Sequence, residues 1–218
     1  MLPVERVKHL QIPCNMILFG YMIKLRPSYH VGSIVELSPT TIRQKYPNLE
    51  GFGWDLDGIL IGYDELIVPN NHVAKLKEFT ECGFEQGILS NASSPKRARR
   101  VKEIAEHISE RIDYDLVVVT SSMDGVSKKP SITGFNELAA KLSVHGSNMG
   151  FGGDQLFKDI LGANRAEYGL TVLVAPFGEG DDWRVRYLQR PAEAVVRLAL
   201  RLPFNPEDFS ERSSFSSI

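Results

Sequence analysis

Carboxylates occur in two short motifs that lie far apart in the chain. Asp55 and Asp57 belong to the first, Trp-Asp-Leu-Asp-Gly-Ile-Leu starting at residue 54, and Asp154 and Asp159 belong to the second, Gly-Gly-Asp-Gln-Leu-Phe-Lys-Asp starting at residue 152. Carboxylates crowded into one crevice repel one another, and a bound divalent cation offsets that cost. Oxygen ligands together with a phosphate substrate favour Mg²⁺. The two motifs therefore predict phosphate chemistry on a metal ion.

The first motif is expected to carry the covalent chemistry. Asp55 would attack phosphorus as a nucleophile, and water would then hydrolyse the aspartyl-phosphate, which divides one hard displacement into two easier ones. Asp57 would protonate the leaving oxygen and later deprotonate the attacking water, a task that needs a partly protonated carboxyl group. The alternative for Asp57 is a turn residue that caps its own loop.

The second motif is expected to bind the metal ion. Asp154 and Asp159 would join Asp55 as oxygen ligands, and the expected cofactor is Mg²⁺. Asp159 has two alternatives, because it also fits an early helix residue facing solvent or a carboxylate that supports the ligands without touching the ion.

The chain between the two motifs supplies a hydroxyl group and a cation. Ser90 would donate a hydrogen bond to the phosphoryl oxygens, and Lys129 would hold the same group as a positive point charge. Lys128 competes with Lys129, which is preferred because Pro130 follows it and restricts its backbone. Asn91 would bind the substrate or form an Asx turn. Four signals in this order are more specific than any one of them.

Apolar runs alternate with helical patterns, which predicts an α/β fold with a doubly wound parallel sheet and no large cap domain. The predicted strands cover residues 52–56, 87–89, 116–120, 149–152 and 170–175, and the predicted helices cover residues 73–82, 133–142, 192–200 and a segment opened by Ser94 and Pro95. Asn71 is expected to cap the first of these helices. The continuous apolar runs at residues 116–119 and 172–174 predict central strands. All four signals fall at the carboxyl ends of strands, where such sheets bind ligands.

These residues resemble the motifs of the haloacid dehalogenase (HAD) superfamily of phosphatases, which run Asp-x-Asp, Ser or Thr, Lys, and Gly-Asp in this order. The resemblance implies a Rossmann-like HAD core, in which Asp57 also offers its backbone carbonyl to the metal ion. Residues 153–165 look more narrowly like the YqeG-type branch, which includes phosphatidylglycerophosphate phosphatases. Asn164 and Arg165 carry this likeness, and Arg165 would bind substrate or pair with a carboxylate. Ile59 departs from the pattern, because the first motif usually has a Thr whose hydroxyl helps to fix the loop.

Composition limits the domain count and the partners. With 218 residues, 43% of them hydrophobic and 24% charged, the chain can bury a full core. We expect an N-terminal extension at residues 1–25, a phosphatase domain at residues 26–202 and a mobile C-terminal tail at residues 203–218. The net charge of -2 gives no electrostatic case for nucleic acid. Cys14 and Cys82 are too scattered for a zinc site or a disulfide framework, which predicts reduced thiols in a cytoplasmic compartment.

The N-terminal region contains an apolar run at residues 12–23. With Pro13 and Asn15 inside it, the run is shorter than the roughly 20 apolar residues of a spanning helix. It predicts either a helix or strand packed on the domain or a segment that lies in a membrane interface. The expected location is therefore cytoplasmic, with peripheral membrane contact as an open alternative.

The spacing of the motifs also limits the substrate. Only a short stretch separates Asp57 from the helix that follows it, with room for no more than a small flap at residues 62–69. An open site suits a phosphate on a bulky or membrane-held molecule. Basic residues crowd the start of the helix after Ser90, where the macrodipole prefers acidic ones. They predict contact with a lipid headgroup or an anionic membrane surface, or else a solvated helix face. They are Lys96, Arg97, Arg99, Arg100 and Lys102.

The sequence thus predicts a Mg²⁺-dependent phosphomonoester hydrolase with an aspartyl-phosphate intermediate. By analogy with the YqeG-type branch, its substrate would be a phospholipid phosphate such as phosphatidylglycerophosphate. One alternative is a phosphatase of soluble phosphate esters. Another is a catalytically impaired, phosphate-binding scaffold in which Ile59 accounts for the lost activity.

Overall fold

The structure is a computed structural model that describes residues 22–63, 65–178 and 190–199. Most of the expected N-terminal extension, including the apolar run up to residue 21, lies outside the described residues, as does Cys14. The expected tail at residues 203–218 lies outside them too. The domain boundaries at residues 25 and 202 stay predictions.

A six-stranded parallel sheet forms the centre of the described part of the chain. Its spatial order is β1-β6-β5-β2-β3-β4, and every neighbouring pair is parallel. This confirms the predicted α/β fold with a doubly wound parallel sheet. The strands are β1 (Tyr29–Val31), β2 (Gly51–Trp54), β3 (Glu85–Ser90), β4 (Val117–Thr120), β5 (Met149–Gly153) and β6 (Leu170–Val174).

Helices connect the strands. Among the described residues they are α1 (Pro39–Lys45), α2 (Asn70–Glu81), α3 (Pro95–Ile112), α4 (Ile132–Lys141), α5 (Leu161–Arg165) and α6 (Arg190–Ala199). A π-helical turn, Leu156–Ile160, leads directly into α5. Short 3-10 turns occur at Ile34–Glu36 and Gly146–Asn148. No helix in the described ranges combines the length and the apolar character needed to cross a membrane.

Strand β1 and helices α1 and α5 were not predicted from the sequence. Strand β1 has only three residues and pairs with β6, so its pattern was too short to stand out. Helix α1 carried a usable signal, because Ser38 accepts a hydrogen bond from the Thr41 amide and Pro39 occupies the first turn.

Two predictions about elements were wrong. Helix α2 starts after Pro69 with no side-chain cap, and Asn71 lies inside it, where its side chain accepts from the neighbouring His72 amide. The apolar run at residues 116–119 forms β4, which lies at the edge of the sheet rather than in its centre. Ser94, in contrast, caps α3 by accepting from the Arg97 amide at 3.3 Å, as predicted.

The edge strand β4 is covered by polar side chains of the same chain. Lys141 donates to the Val118 carbonyl at 3.4 Å, and the Thr120 amide donates to Asp124 at 2.7 Å. Lys141 and Asp124 are joined by an ion pair at 2.5 Å. Since free backbone groups on an edge invite pairing with another chain, these contacts protect the sheet.

Aromatic rings pack against glycines in the central strands and fix the sheet beneath the site. A Cβ atom at Gly150 would lie 2.5 Å from the Phe52 ring, and one at Gly152 would lie 2.9 Å from the Trp54 ring. The Trp54 indole also donates to the Gln86 side chain at 3.1 Å in the buried interior. Because interiors are packed as densely as crystals, this arrangement gives β2 and β5 little room to shift.

Candidate active site

The first carboxylate motif folds into a tight turn directly after β2. The Asp55 amide continues the sheet by donating to the Gly152 carbonyl at 2.9 Å, and Asp55 Oδ1 accepts from the Leu56 amide at 2.9 Å. Gly58 has φ +88°, a conformation that favours glycine, and a Cβ atom there would lie 3.0 Å from Asp154 Oδ2. The turn therefore brings the two carboxylate motifs together.

Ile59, the departure from the HAD pattern, lies in the hydrophobic core with 1% of its surface exposed. The turn around it closes through backbone hydrogen bonds, from Gly58 to the Ile61 carbonyl at 2.8 Å and from Leu60 to the Leu56 carbonyl at 3.1 Å. The Phe177 amide donates to the Gly58 carbonyl at 2.6 Å and ties the turn to the chain after β6. These bonds fix the loop without a hydroxyl at position 59.

Lys129 lies between two carboxylates in the interior. Its Nζ atom is 2.8 Å from Asp55 Oδ1 and 2.7 Å from Asp159 Oδ1, and only 2% of its side chain is exposed. Lys128 is exposed, so the geometry favours Lys129 of the two candidates. Asn91 holds the Lys129 backbone from both sides, accepting from its amide at 2.7 Å and donating to its carbonyl at 3.3 Å. Asn91 therefore positions the lysine.

Asp159 is fully buried, which excludes the alternative of a helix residue facing solvent. Its Oδ2 atom accepts from the Gln155 amide at 3.0 Å, and Oδ1 faces Lys129. The π-helical turn carries the residue, and a Cβ atom at Gly153 would lie only 2.4 Å from the Asp159 side chain. Glycine at that position is what lets the carboxylate approach the sheet.

Asp154 is also fully buried, and Arg190 from α6 contacts it twice. The Arg190 guanidinium pairs with Asp154 Oδ2 and donates to the Asp154 carbonyl at 2.8 Å. It lies 3.4 Å from Glu193, a buried acid on the same helix. Sequence reasoning missed Arg190, because no motif marks it and its partner lies 36 residues away.

The three buried carboxylates form a cluster that fits a metal ion. Oxygen atoms of Asp55, Asp154 and Asp159 lie within 4.8 Å of one another. Asp154 Oδ1 is buried without a hydrogen-bond partner, so one hard oxygen ligand is left over in the interior. An all-oxygen donor set of this kind suits a hard divalent cation such as Mg²⁺.

Burial governs the protonation of this cluster. Burial raises the pKa of Asp55 to about 7, although Lys129 opposes the shift. Burial and the charge of Asp159 raise the pKa of Asp154 to about 8, against the opposing effect of Arg190. For Lys129 burial disfavours the charge, but Asp159 and Asp55 outweigh it and raise the pKa above its ordinary value. The two carboxylates therefore favour the charged form of the lysine, whereas burial favours the neutral forms of Asp55 and Asp154.

A cavity of about 130 Å³ opens above this cluster. Of the residues predicted from the sequence, it is lined by Asp55, Asp57, Ser90, Asn91 and Lys129. Arg97, Arg100, Tyr63, Gln155 and Lys158 also line it. The structure thus brings together both carboxylates of the first motif, the hydroxyl and the cation.

Three predicted site residues do not line the cavity: Asp154 and Asp159, which are buried in the carboxylate cluster, and Arg165. The Arg165 guanidinium donates to the Pro130 carbonyl at 3.4 Å on the exposed surface. The neighbouring Asn164 donates to the carbonyls of Lys24 and Arg26 at 2.7 and 3.0 Å. These two residues hold chain segments in place.

The five basic residues near the start of α3 lie in different environments. Arg97 and Arg100 line the cavity, and Arg100 pairs with Asp57 at 2.8 Å. Lys102 pairs with Glu106 at 3.6 Å along the helix. Lys96 and Arg99 are exposed. The sequence showed one basic cluster, whereas the structure separates an inward arginine from an outward cationic surface.

A larger cleft of about 750 Å³ lies elsewhere, between α3 and the edge strand β4. Tyr114, Asp115 and Val118 are among the residues that line it. None of the residues predicted to act in catalysis lines this cleft, so its size alone does not make it the active site.

The parallel sheet carries Asp55, Ser90, Lys129 and Asp154 towards its carboxyl edge, in the order that the resemblance to HAD phosphatases implies. No protein-family model matches the chain. The chain is 28% identical over 175 residues to "Probable phosphatase YqeG" of Bacillus subtilis (strain 168), a match that covers 80% of this chain and 91% of the relative. This similarity confirms the predicted resemblance to the YqeG-type branch, and that relative is named as a probable phosphatase.

Solved structures give weaker likenesses. An uncharacterized protein from Listeria monocytogenes serotype 4b has a TM-score of 0.47 at 20% identity, covering 69% of this chain and 99% of that one. An uncharacterized protein from Corynebacterium glutamicum ATCC 13032 has a TM-score of 0.45 at 20% identity, covering 73% and 98%. A thermostable NPPase from Geobacillus stearothermophilus has a TM-score of 0.22 at 12% identity, covering 69% and 66%. At these scores the likenesses do not bear on function.

Proposed function

We propose that this protein hydrolyses phosphate monoesters through an aspartyl-phosphate on Asp55. The observation that carries the proposal is the environment of Asp55, a buried carboxylate paired with Lys129 at the base of a cavity that Asp57 and Ser90 also line. A nucleophile, a proton carrier, a hydroxyl donor and a cation around one small space are the groups that phosphoryl transfer needs.

The reaction would proceed in two displacements. An Asp55 carboxylate oxygen forms a bond to phosphorus while the bond from phosphorus to the ester oxygen breaks, and Asp57 gives its proton to that leaving oxygen. Water then attacks the phosphorus, Asp57 takes a proton from the water, and the bond between Asp55 and phosphorus breaks. Phosphate leaves and both aspartates return to their starting states.

The remaining groups would hold the phosphoryl oxygens. Lys129, fixed by Asn91 and charged at all physiological pH values, neutralises negative charge on the phosphoryl oxygens. Ser90 lines the same cavity and can donate its hydroxyl proton. Arg97 and Lys158 add positive charge among the cavity-lining residues.

A divalent metal ion, which we propose to be Mg²⁺, would be held by the carboxylates of Asp55 and Asp154 and the backbone carbonyl of Asp57, with Asp159 completing the cluster. When bound, such an ion screens the repulsion between the carboxylate nucleophile and the phosphate. The unpartnered Asp154 Oδ1 supports this assignment. Asp159 would also serve the site by keeping Lys129 in place.

For the substrate we propose a phospholipid phosphate such as phosphatidylglycerophosphate, met at a membrane surface. Residues 62–69 separate the Asp57 turn from α2 in the sequence, a stretch too short for a cap domain that would enclose a small metabolite. Leu66 and Ile67 in this stretch are 65% and 74% exposed. The exposed Lys96 and Arg99 lie on α3, the helix that also lines the cavity with Arg97. Apolar and cationic side chains near a site suit an anionic lipid surface.

The test is phosphate release from p-nitrophenyl phosphate and from phosphatidylglycerophosphate in mixed micelles, with Mg²⁺ or with a chelator. We expect Mg²⁺-dependent turnover by the natural chain and its loss in Asp55→Asn. A higher kcat/KM for the lipid would support the substrate assignment, and equal values would favour a phosphatase of soluble esters. Absence of turnover of either compound by well-folded protein would contradict the proposed reaction and favour the phosphate-binding scaffold.

A further inference from the structure

Arg100 joins three acceptors on the chain that follows β2. One guanidinium nitrogen donates to Asp57 Oδ1 at 2.8 Å, and another donates to the carbonyls of Tyr63 and Glu65 at 3.2 and 2.6 Å. The exposed fraction is 21% for the Arg100 side chain and 17% for the Asp57 side chain, so the contact is largely buried. A forked contact of this kind is geometrically specific and stronger than an exposed ion pair.

These contacts join helix α3 to the chain segment between β2 and α2. Arg100 stands on α3, which begins just after the Ser90 and Asn91 corner and is anchored to the core by its buried face. Asp57, Tyr63 and Glu65 belong to the turn and the short connection that lead from β2 to α2. Tyr63 also accepts from Gln155 through its hydroxyl at 3.1 Å, so the same connection reaches the second carboxylate motif. Arg100 thus fixes the Asp57 turn relative to the cavity.

We propose that Arg100 is a positioning residue for Asp57 in proton transfer, an inference that rests on the function proposed above. With Oδ1 held by Arg100, Oδ2 is the oxygen that gives its proton to the leaving oxygen as the ester bond breaks. That transfer leaves Asp57 negatively charged, and the guanidinium stabilises the new charge without losing a proton itself. In the second displacement Oδ2 takes a proton from the attacking water.

This role makes a specific kinetic prediction. An alkyl phosphate needs a proton on its leaving oxygen, whereas p-nitrophenolate leaves readily without one. General acid catalysis contributes about 10²- to 10⁴-fold. We therefore expect Arg100→Gln to lower kcat for an alkyl phosphate about 100-fold and kcat for p-nitrophenyl phosphate less than about 5-fold. Arg100→Lys, which keeps the charge but loses the fork, should give an intermediate loss with the same preference.

Arg111→Gln is the matched control. Arg111 lies on the same helix and donates to the Val68 carbonyl at 3.4 Å and to the Asn70 side chain at 2.6 Å. It therefore anchors the far end of the same connection without contacting Asp57. This variant should change kcat for both substrates alike, and by less than about twofold, because it makes no contact with the proton carrier.

Asp57→Asn separates the failure of this inference from the failure of the proposed function. If Asp57→Asn and Arg100→Gln both lose alkyl phosphate turnover selectively, the inference is supported. Suppose that Asp57→Asn lowers kcat selectively for the alkyl phosphate, but Arg100→Gln and Arg100→Lys lower kcat for both substrates equally. Arg100 then acts only on structure, and the inference is overturned. If Asp57→Asn is itself unselective, or the natural chain turns over neither substrate, the proton-transfer role fails and the inference falls with it.

Discussion

At the residue scale, Lys129 is the side chain on which the buried cluster depends most directly. It separates Asp55 from Asp159 at 2.8 and 2.7 Å, and Lys129→Met would leave two buried carboxylates without their shared cation. Removing one partner of a buried ion pair typically costs about 3–5 kcal/mol. We expect a loss of this size in the free energy of unfolding, measured with urea in chelator. Lys128→Met, at an exposed position, should change the stability by less than about 0.5 kcal/mol, and equal effects of the two variants would contradict the pairing.

Ile59 tests whether the departure from the HAD pattern has impaired the enzyme. Because the side chain is buried and the turn closes through backbone bonds, Ile59→Thr would place a hydroxyl in the core without a gain in order. We expect it to lower the free energy of unfolding by about 2 kcal/mol and to leave kcat within about twofold. Ile59→Val, which removes a methylene group alone, should cost about 1 kcal/mol. A large rise in kcat in Ile59→Thr would instead favour the scaffold alternative.

The chemistry-bearing residues were predictable one by one only where a motif marked them. Asp55, Ser90 and Asp154 were predicted because each lies at the carboxyl end of a strand, and Lys129 because the loop that carries it follows one; parallel strands end at one edge of the sheet. The burial of Asp159 and the pairing of Lys129 with both carboxylates needed the folded structure. Arg100 could not be distinguished from its basic neighbours in the sequence. Its inward position depends on which face of α3 it occupies and on the path of the loop that carries Asp57.

At the scale of elements, two side chains protect the edge of the sheet formed by β4. Lys141 and Asp124 cover the Val118 carbonyl and the Thr120 amide. Replacing both with alanine should free these groups for pairing with a second copy. We expect a concentration-dependent rise in apparent mass by light scattering. Glu137→Ala is the control, because Glu137 lies one turn from Lys141 on the same helix, at 3.9 Å. Self-association of this control to the same extent would contradict the interpretation.

The strands were predictable but their lateral order was not. Apolar runs located five of the six strands to within a few residues, because buried parallel strands carry little polar sequence. The same reasoning placed β4 in the centre, although it lies at the edge. Its Val117 and Val118 are only partly buried, so an edge strand lined by a cleft can be as apolar as a central one. An apolar strand sequence indicates that the two faces of the strand are buried. It does not indicate whether another strand lies on each side.

At the scale of the whole molecule, the carboxylate cluster links folding to pH and to metal. In the folded protein the pKa values of Asp55 and Asp154 are raised from 3.8 to about 7 and about 8, so the folded state keeps protons that the unfolded chain releases. The stability that these protons contribute is present in acid and is lost as the pH rises towards 8. Asp55 follows β2, Asp154 follows β5 and Arg190 lies on α6, so the pH dependence belongs to the assembled fold.

In chelator, the free energy of unfolding should therefore fall between pH 5.5 and pH 8.5, a window above the ordinary pKa of acidic side chains. Asp154→Asn removes one of the two proton sites and should make the free energy of unfolding fall less steeply with pH. Both proteins have the same histidines, so the contribution of the histidines cancels when the two slopes are subtracted. Mg²⁺ binds the ionised carboxylates, so its stabilising effect on the natural chain should grow with pH over the same window. Urea unfolding at several pH values, with Mg²⁺ and with chelator, measures both trends. A natural chain whose slope equals that of Asp154→Asn, or a stabilisation by Mg²⁺ that declines towards pH 8.5, would show that protons and metal do not compete for these carboxylates.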